Sequence, residues 1–195
     1  MRTHVQRCVA GCFAILRQLR FVPAAVYQTR VVALVLSLLD YGKATLAGLP
    51  ACLVNRLQSL LNAAARSIAD LRRSDHITDI LASFHWLRII ERIKFKLVVI
   101  LYRCPHRTAP QYVSDTLQYI ADMPARGRLR SSTSGHLDVR QSRLVTVGDR
   151  SFVTGAPRFQ NSLSSDVQSA SPLKTFRRGL KAHLFQQSYP DIILQ

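Results

Sequence analysis

His4, Cys8 and Cys12 recur at i, i+4 and i+8 near the start of the chain. On a helix they share a face, and adjacent pairs could hold a metal ion. Zinc takes four ligands in a tetrahedral array, and no second cluster supplies the rest, so a helix with two buried thiols is the expectation. His76 and His85 flank a short apolar segment, with Asp75 and Asp79 beside His76. General-base catalysis is the chemistry such a set could do. No nucleophile has a fixed place relative to it, and a helix start capped by Ser74 or Asp75 uses the same residues. The chain has no Gly-rich phosphate loop, no Gly-x-Ser-x-Gly elbow and no His-Glu-x-x-His. Two-metal chemistry needs carboxylates that hold ions about 4 Å apart. The 11 acids are spread singly, with no two adjacent. The expectation is a chain that is not an enzyme, with no catalytic residues, no metal and no cofactor.

The stretch TVGDRSFVTGAPRFQNSL, residues 146–163, also has the types for a phosphate cradle, through Arg150 or Arg158. Turn chemistry accounts for the same residues: Gly148 and Asp149 favour a turn, and Gly155, Pro157 and Asn161 punctuate the rest of the stretch. The structural reading is preferred, with Phe152 inward on a return strand.

The charge is more telling. There are 27 basic residues against 11 acids, a net charge of +16, and 22 of the 27 are Arg. Arg presents a planar fork that matches phosphate in two-point geometry, and so large a positive charge favours an anionic partner, nucleic acid first and a membrane surface second. A biased base composition would enrich Arg as well. Residues 1–70 carry 8 basic and 2 acidic residues, residues 71–123 carry 8 and 5, and residues 124–195 carry 11 and 4, so the two ends are the basic parts. Cys8, Cys12, Cys52 and Cys104 show no disulfide spacing, which fits a reducing, intracellular compartment, cytoplasmic or nuclear. The first 20 residues read poorly as a signal peptide. The most apolar run, VVALVLSLL at 31–39, is too short to cross a bilayer, so no membrane partner is expected.

The elements that would position these residues are mostly helices. Apolar periodicity predicts helices over 4–20, 24–46, 51–69, 76–84, 86–103 and 110–121. In the second, Val31, Leu34, Val35, Leu38 and Leu39 make a wide apolar face. In the third, Leu53, Leu57, Leu60, Leu61, Ala64 and Ile68 fall on one stripe. In the fifth, Ile89, Ile93, Leu97, Ile100 and Leu101 point inward. Between the second and third, AGLP is a stop signal: Gly48 can turn left-handed and Pro50 cannot continue a helix. Near residue 124 the texture becomes polar, basic and rich in Ser and Gly, as in a linker. Residues 136–153 then predict two short strands joined near Gly148–Asp149. A last helix starts with Ser171 as cap and Pro172 as its first residue, with Leu173, Phe176, Leu180 and Leu184 inside and Lys174, Arg177, Arg178 and Lys181 outside. The fold expected is mainly α: a helical bundle with a small β-hairpin and a C-terminal amphipathic helix. Its divisions are a helical region, 1–123, and a basic C-terminal region, 124–195.

The order of short phrases is more specific than any single site. LSLLDYGKATLAGLP (36–50), LQSLLNAAARSI (57–68), DHITDILASFHWLRIIERIKFKLVVILYRCPHRTAPQYV (75–113), TVGDRSFVTGAPRFQNSL (146–163) and the closing LKTFRRGLKAHLF together resemble one region. It is the region downstream of the polymerase domain in reverse transcriptases of non-LTR retrotransposons (LINE and jockey-like elements), and the likeness runs over residues 4–186. The resemblance implies a thumb-like, helical part of an element protein whose catalytic Asp pair lies upstream, so no catalytic residue carries over. Asp40-Tyr41, the segment 62–66, His85-Trp86-Leu87 and Gly148-Asp149-Arg150 match family phrases, which implies roles in packing and in gripping a template–primer. The chain departs from the pattern at Gly42-Lys43, where the family has Cys-Asn, and at Arg88, where it has Pro. It departs again over residues 105–110, where Pro105 would cut the preceding helix short, and at Gln160, where the family has Trp. Losing a core Trp would cost up to ~3–5 kcal/mol. Such changes imply a decayed element copy.

The resemblance implies a non-catalytic fragment of an RNA-directed DNA polymerase. It would bind RNA or an RNA–DNA duplex nonspecifically through phosphates. The residues predicted to do so, all on outward helix faces, are Arg56, Arg66, Arg88, Arg92, Arg177, Arg178 and Lys181. The alternative is a helical scaffold with no activity of its own, whose stripe at 53–68 would meet another surface such as a polymerase palm.

Overall fold

A computed structural model describes residues 2–41, 46–123, 136–140 and 151–191. These are mainly helical. The chain forms two compact units, one from Met1–Lys43, Leu49–Arg92 and Leu184–Gln195, the other from Ala44–Gly48 and Ile93–His183.

In the first unit, α1 (Arg2–Leu19) packs on α4 (Ala51–Ile68) and on the broken helix after it. Its buried residues Val5, Cys12, Leu16 and Leu19 keep the helical period. They meet a stripe on α4 in which Leu57, Leu60, Leu61 and Ala64 are buried to 2% exposure or less. Each such leucine contributes about 1.5–3 kcal/mol by leaving water. The stripe is consumed inside the unit, so it is not free to meet another surface as the scaffold alternative required.

The predicted helix 24–46 is interrupted and shorter. It runs as α2 (Ala24–Val31), a π-turn over Val32–Leu36 and α3 (Ser37–Asp40), and Tyr41 is already extended. The wider turn rotates less per residue and sets the later residues back around the axis. Val31, Val35 and Leu39 are buried, while Leu34 and Leu38 turn out to 42% and 43% exposure. The thiols predicted to be buried face this segment: Cys8 donates to the Leu38 carbonyl at 3.6 Å and Cys12 to the Val35 carbonyl at 3.9 Å. Cys12 is buried and Cys8 half-buried.

Gly48 has φ 63° before Pro50, as the stop signal requires. Three further turns use a left-handed residue that is not glycine: Asp70 (φ 50°), His85 (φ 53°) and Arg107 (φ 53°). Each is followed by an N–H that reaches back five residues, Leu71 to Arg66, Trp86 to Leu81 and Thr108 to Arg103, at 3.0, 2.9 and 3.0 Å. This is the geometry that satisfies the last carbonyls of a helix, so His85 terminates α5 (Thr78–Ser83). Asp75 does not cap that helix. Its carboxylate accepts the Arg72 N–H at 2.8 Å and closes a turn, and the helix starts two residues past His76, which is exposed. A side chain at φ > 0 is strained, so Arg107→Gly, at an exposed site, raises stability by about 0.5–1 kcal/mol. A denaturant titration reads this as a higher midpoint at constant slope.

The N-terminus of α6 (Ile89–Arg103) is capped from a distance: the Ile89 N–H donates to Gln58 Oε1 on α4 at 3.0 Å. Beside it, the Tyr189 hydroxyl donates to the Trp86 carbonyl at 2.7 Å, and Phe185 packs at 4.8 Å on the Tyr189 ring.

In the second unit, Leu97, Val98 and Leu101 of α6 are buried, as are Phe176 and Leu180 of α10 (Leu173–Ser188). Ile100 is only half-buried. Tyr102 stacks on Phe176 at 4.0 Å, and its hydroxyl donates to the Ala170 carbonyl at 3.0 Å. The Pro172 carbonyl accepts the Phe176 N–H at 3.1 Å, which puts Pro172, not Ser171, at the cap of α10. The predicted helix 110–121 shrinks to α7 (Gln111–Ser114) and a 3-10 turn over Ile120–Asp122. Thr116 intervenes, its hydroxyl donating to the Val113 carbonyl at 2.7 Å, a local bond that competes with helix.

No hairpin is present among the described residues, and the segment 141–150 that held its turn lies outside them. The extended pairing among them is an antiparallel bridge, Tyr119 with Leu137. The predicted return strand is instead α8 (Phe152–Asn161), with Gly155 and Pro157 buried inside it. Those two breakers hid an apolar series at 152, 156, 159 and 163 that has the helical period. The short α9 (Ser165–Gln168) comes next.

Burial raises the Cys104 thiol above its ordinary 9.0 and the Tyr119 and Tyr189 phenols above their ordinary 10.0, and the Cys8 thiol beside Cys12, then burial, raises Cys12 in the same way. All four must lose a proton more easily in the unfolded chain than in the native one. Their contribution is therefore complete below pH 9 and is lost as pH rises beyond it. The melting temperature falls progressively between pH 9 and 11, and a flat profile there would contradict the burial of these groups.

Candidate nucleic-acid interface

The residue that leads to the site is Arg66, in the last turn of α4. Its Nη2 donates to the Asp75 carbonyl at 3.2 Å, which ties the guanidinium to the turn after α4. Its Nε is buried with no partner. An unmet donor on a cation is costly, and the side chain forms part of the wall of an open groove of about 1110 Å³ within the first unit. Two more guanidinium groups line that groove, Arg20 from the end of α1 and Arg73 from the turn beyond α4, both exposed. Asn62 and Gln28 add neutral polar groups, and Phe13 and Tyr27 add rings. Among the described residues, the one acid in the lining is Asp70. Cations that grip a backbone, with rings on which bases can stack, are what single-stranded nucleic acid takes.

The predicted residues are not brought together. Of the seven, Arg66 alone lines the groove. Arg56 is exposed on α4. Arg88 is exposed but precedes α6 rather than lying on it, with its guanidinium carbon 5.3 Å from the centre of the Tyr189 ring. Arg92 does not face outward. It chelates Asp40 through Nε at 3.2 Å and Nη2 at 2.8 and 2.9 Å, with its side chain 14% exposed. Burial pulls its guanidinium down to about 10, so it is still a cation at neutral pH, but its fork is already occupied. A helical period marks Arg92 as polar and does not reveal that the Asp at the end of α3 meets it. Arg177, Arg178 and Lys181 are exposed on α10, in the second unit.

Arg20 and Arg73 were missed by sequence reasoning. The Arg72-Arg73 doublet was a weak signal for one of them. Nothing local links residue 20 to residue 66; the packing of α1 against α4 does that. The other early candidates dissolve into structure: the thiols of Cys8 and Cys12 bond backbone carbonyls, and no group of three or more His, Cys, Asp or Glu able to hold a metal occurs among the described residues. No helix among them is long and apolar enough to cross a membrane.

No protein-family model matches the chain, and neither does any curated protein or solved structure.

Proposed function

We propose that this chain is a non-catalytic, post-polymerase region of a non-LTR retrotransposon reverse transcriptase that binds RNA or an RNA–DNA duplex without sequence preference, inside the cell. The convergence of Arg20, Arg66 and Arg73 on one groove, in a chain of net charge +16, carries the binding reading. The order of family-like phrases carries the assignment of origin. Binding works through phosphates: guanidinium groups displace condensed counterions, so affinity falls linearly with salt on logarithmic axes, at about 0.7 per phosphate contact on a single strand. Fluorescence anisotropy of labelled RNA between about 50 and 200 mM salt tests this. A steep slope that is the same for unrelated sequences supports the reading, and a flat slope removes it. A nucleotidyl-transfer assay with divalent metal is expected to show no turnover.

A second reading, a helical part that docks on a partner protein, has its own observation. Phe21 is 92% exposed and Tyr41 75%, and Val32, Leu34 and Leu38 are each at least 40% exposed on the segment between them. Large apolar side chains exposed along one short stretch mark an interaction surface. That binding would be insensitive to salt, which separates the two readings.

A further inference from the structure

The turn that borders the groove of the first unit carries an exposed hydroxyl. Ser74 is exposed, as are Arg72, Arg73 and His76 around it, and all four lie outside helix. Arg73 lines the groove. Arg66, also in its wall, donates through Nη2 to the Asp75 carbonyl at 3.2 Å. Ser74 therefore has a groove arginine as its neighbour on one side, and on the other the backbone carbonyl that anchors a second. Neighbouring Cα atoms are about 3.8 Å apart, well inside the roughly 8 Å over which charges act at physiological salt.

The hydroxyl is lightly held, by a long bond to Asp75 Oδ1 at 3.4 Å. The turn is closed by two bonds, Arg72 N–H to Asp75 Oδ2 at 2.8 Å and Asp75 N–H to the Arg72 carbonyl at 3.2 Å. Ser67 is a contrast within the same groove. It is exposed and also follows an arginine, but it lies inside α4, and its hydroxyl donates to the Ala64 carbonyl at 2.8 Å. An exposed turn opens to an enzyme more readily than the body of a packed helix. The chain has two Arg pairs; Arg177-Arg178 leads to Gly179, and Arg72-Arg73 leads to Ser74.

We infer that Ser74 is a phosphorylation site that closes the groove to nucleic acid, written by a protein kinase whose acidic peptide cleft takes the two arginines before it. The inference rests on the groove being a phosphate-binding surface. In the transfer, Ser74 Oγ bonds to the γ-phosphorus of a nucleoside triphosphate as the bond from that phosphorus to the bridging oxygen breaks. The diphosphate leaves, and the hydroxyl proton passes to a base of the kinase. Phosphoserine carries about −1.5 to −2 charges at pH 7. Beside Arg73 and Arg66 that charge offsets two cations, so an incoming RNA phosphate meets an anion as well.

Two experiments on the full chain test this. The first is treatment with the catalytic subunit of cyclic-AMP-dependent protein kinase and ATP–magnesium, read by site-resolved mass spectrometry. Phosphate is expected on Ser74 and not on Ser67, and Ser74→Ala removes it. The second compares RNA binding by the parent, by Ser74→Ala and by a chain carrying phosphoserine at position 74 alone. Phosphoserine is expected to lower affinity at least about tenfold at about 0.1 M salt and to reduce the salt slope by about 1.4, two contacts at about 0.7 each. Because its slope is shallower, the gap to the parent narrows as salt rises from about 50 to 200 mM. Ser74→Ala binds as the parent does. A steep parent slope that phosphoserine leaves unchanged overturns the inference and spares the groove, whereas a flat parent slope removes both. No phosphate on Ser74, equal phosphate on Ser67, or an affinity gap that does not narrow with salt also overturns it.

Discussion

Replacing Arg20 and Arg73 together with Gln lowers the affinity for single-stranded RNA and reduces its salt slope by about 1.4, two contacts at about 0.7 each. These two arginines are exposed and line the groove, so their loss leaves the fold intact. Arg66 is kept in this variant because it also holds the Asp75 carbonyl, and removing it would mix a binding loss with a loosened turn. The matching variant on α10, Arg177→Gln, Arg178→Gln and Lys181→Gln, tests the patch that helical periodicity alone selected. If the groove is the contact surface, the two-residue variant changes the slope more per charge than the three-residue one. An unchanged slope in the groove variant removes the groove from the interface, and an unchanged slope in the other removes α10. Circular dichroism of each variant at the working salt checks that helix content is retained.

Asn161→Ala destabilises the second unit by about 2–4 kcal/mol, the largest effect expected of a single polar replacement here. Leu137 is 1% exposed, and its bridge to Tyr119 is closed by bonds that do not use its own amide: Ile120 N–H to the His136 carbonyl at 3.0 Å and Asp138 N–H to the Gln118 carbonyl at 2.8 Å. Its N–H and C=O therefore point away from that pair. Asn161 takes both, accepting the N–H through Oδ1 at 3.0 Å and donating through Nδ2 to the carbonyl at 2.9 Å. The side-chain amide stands where a third strand would be. Alanine leaves a buried donor and a buried acceptor unpaired at once, each worth roughly 1–3 kcal/mol. Asn161→Asp keeps the acceptor and loses the donor, so it should fall between the two. Chemical denaturation followed by far-UV circular dichroism reads both variants, and parent-like stability for Asn161→Ala would show that this pairing contributes nothing.

Helices were legible in the sequence wherever an apolar face repeats without interruption. The stripe at 53–64 and the inner face at 89–101 depend only on which residues avoid water, and a period of 3.6 expresses that directly. Gly48 was legible for the same local reason, since a left-handed turn has a preferred residue. Where that residue is replaced, at Asp70, His85 and Arg107, the turn gives no local signal, and His85 looked like a candidate for chemistry. The sequence also determined the charge, and so the kind of partner to look for.

The tertiary structure decided which charges are available. Arg92 and Arg177 are equally polar in a helical projection, yet one is committed to Asp40, 52 positions away, and the other is exposed. It also decided that residues 152–161 form a helix in spite of Gly155 and Pro157, both buried. Propensity is worth about 1 kcal/mol at a glycine and about 3 at a proline, and burial of a whole apolar face outweighs both. The groove arose from the same cause. Arg20 is far in the chain from Arg66 and Arg73, and it joins them because α1 and α4 bury their apolar faces on one another. A contact of that kind depends on two distant segments at once, so no window along the sequence contains it.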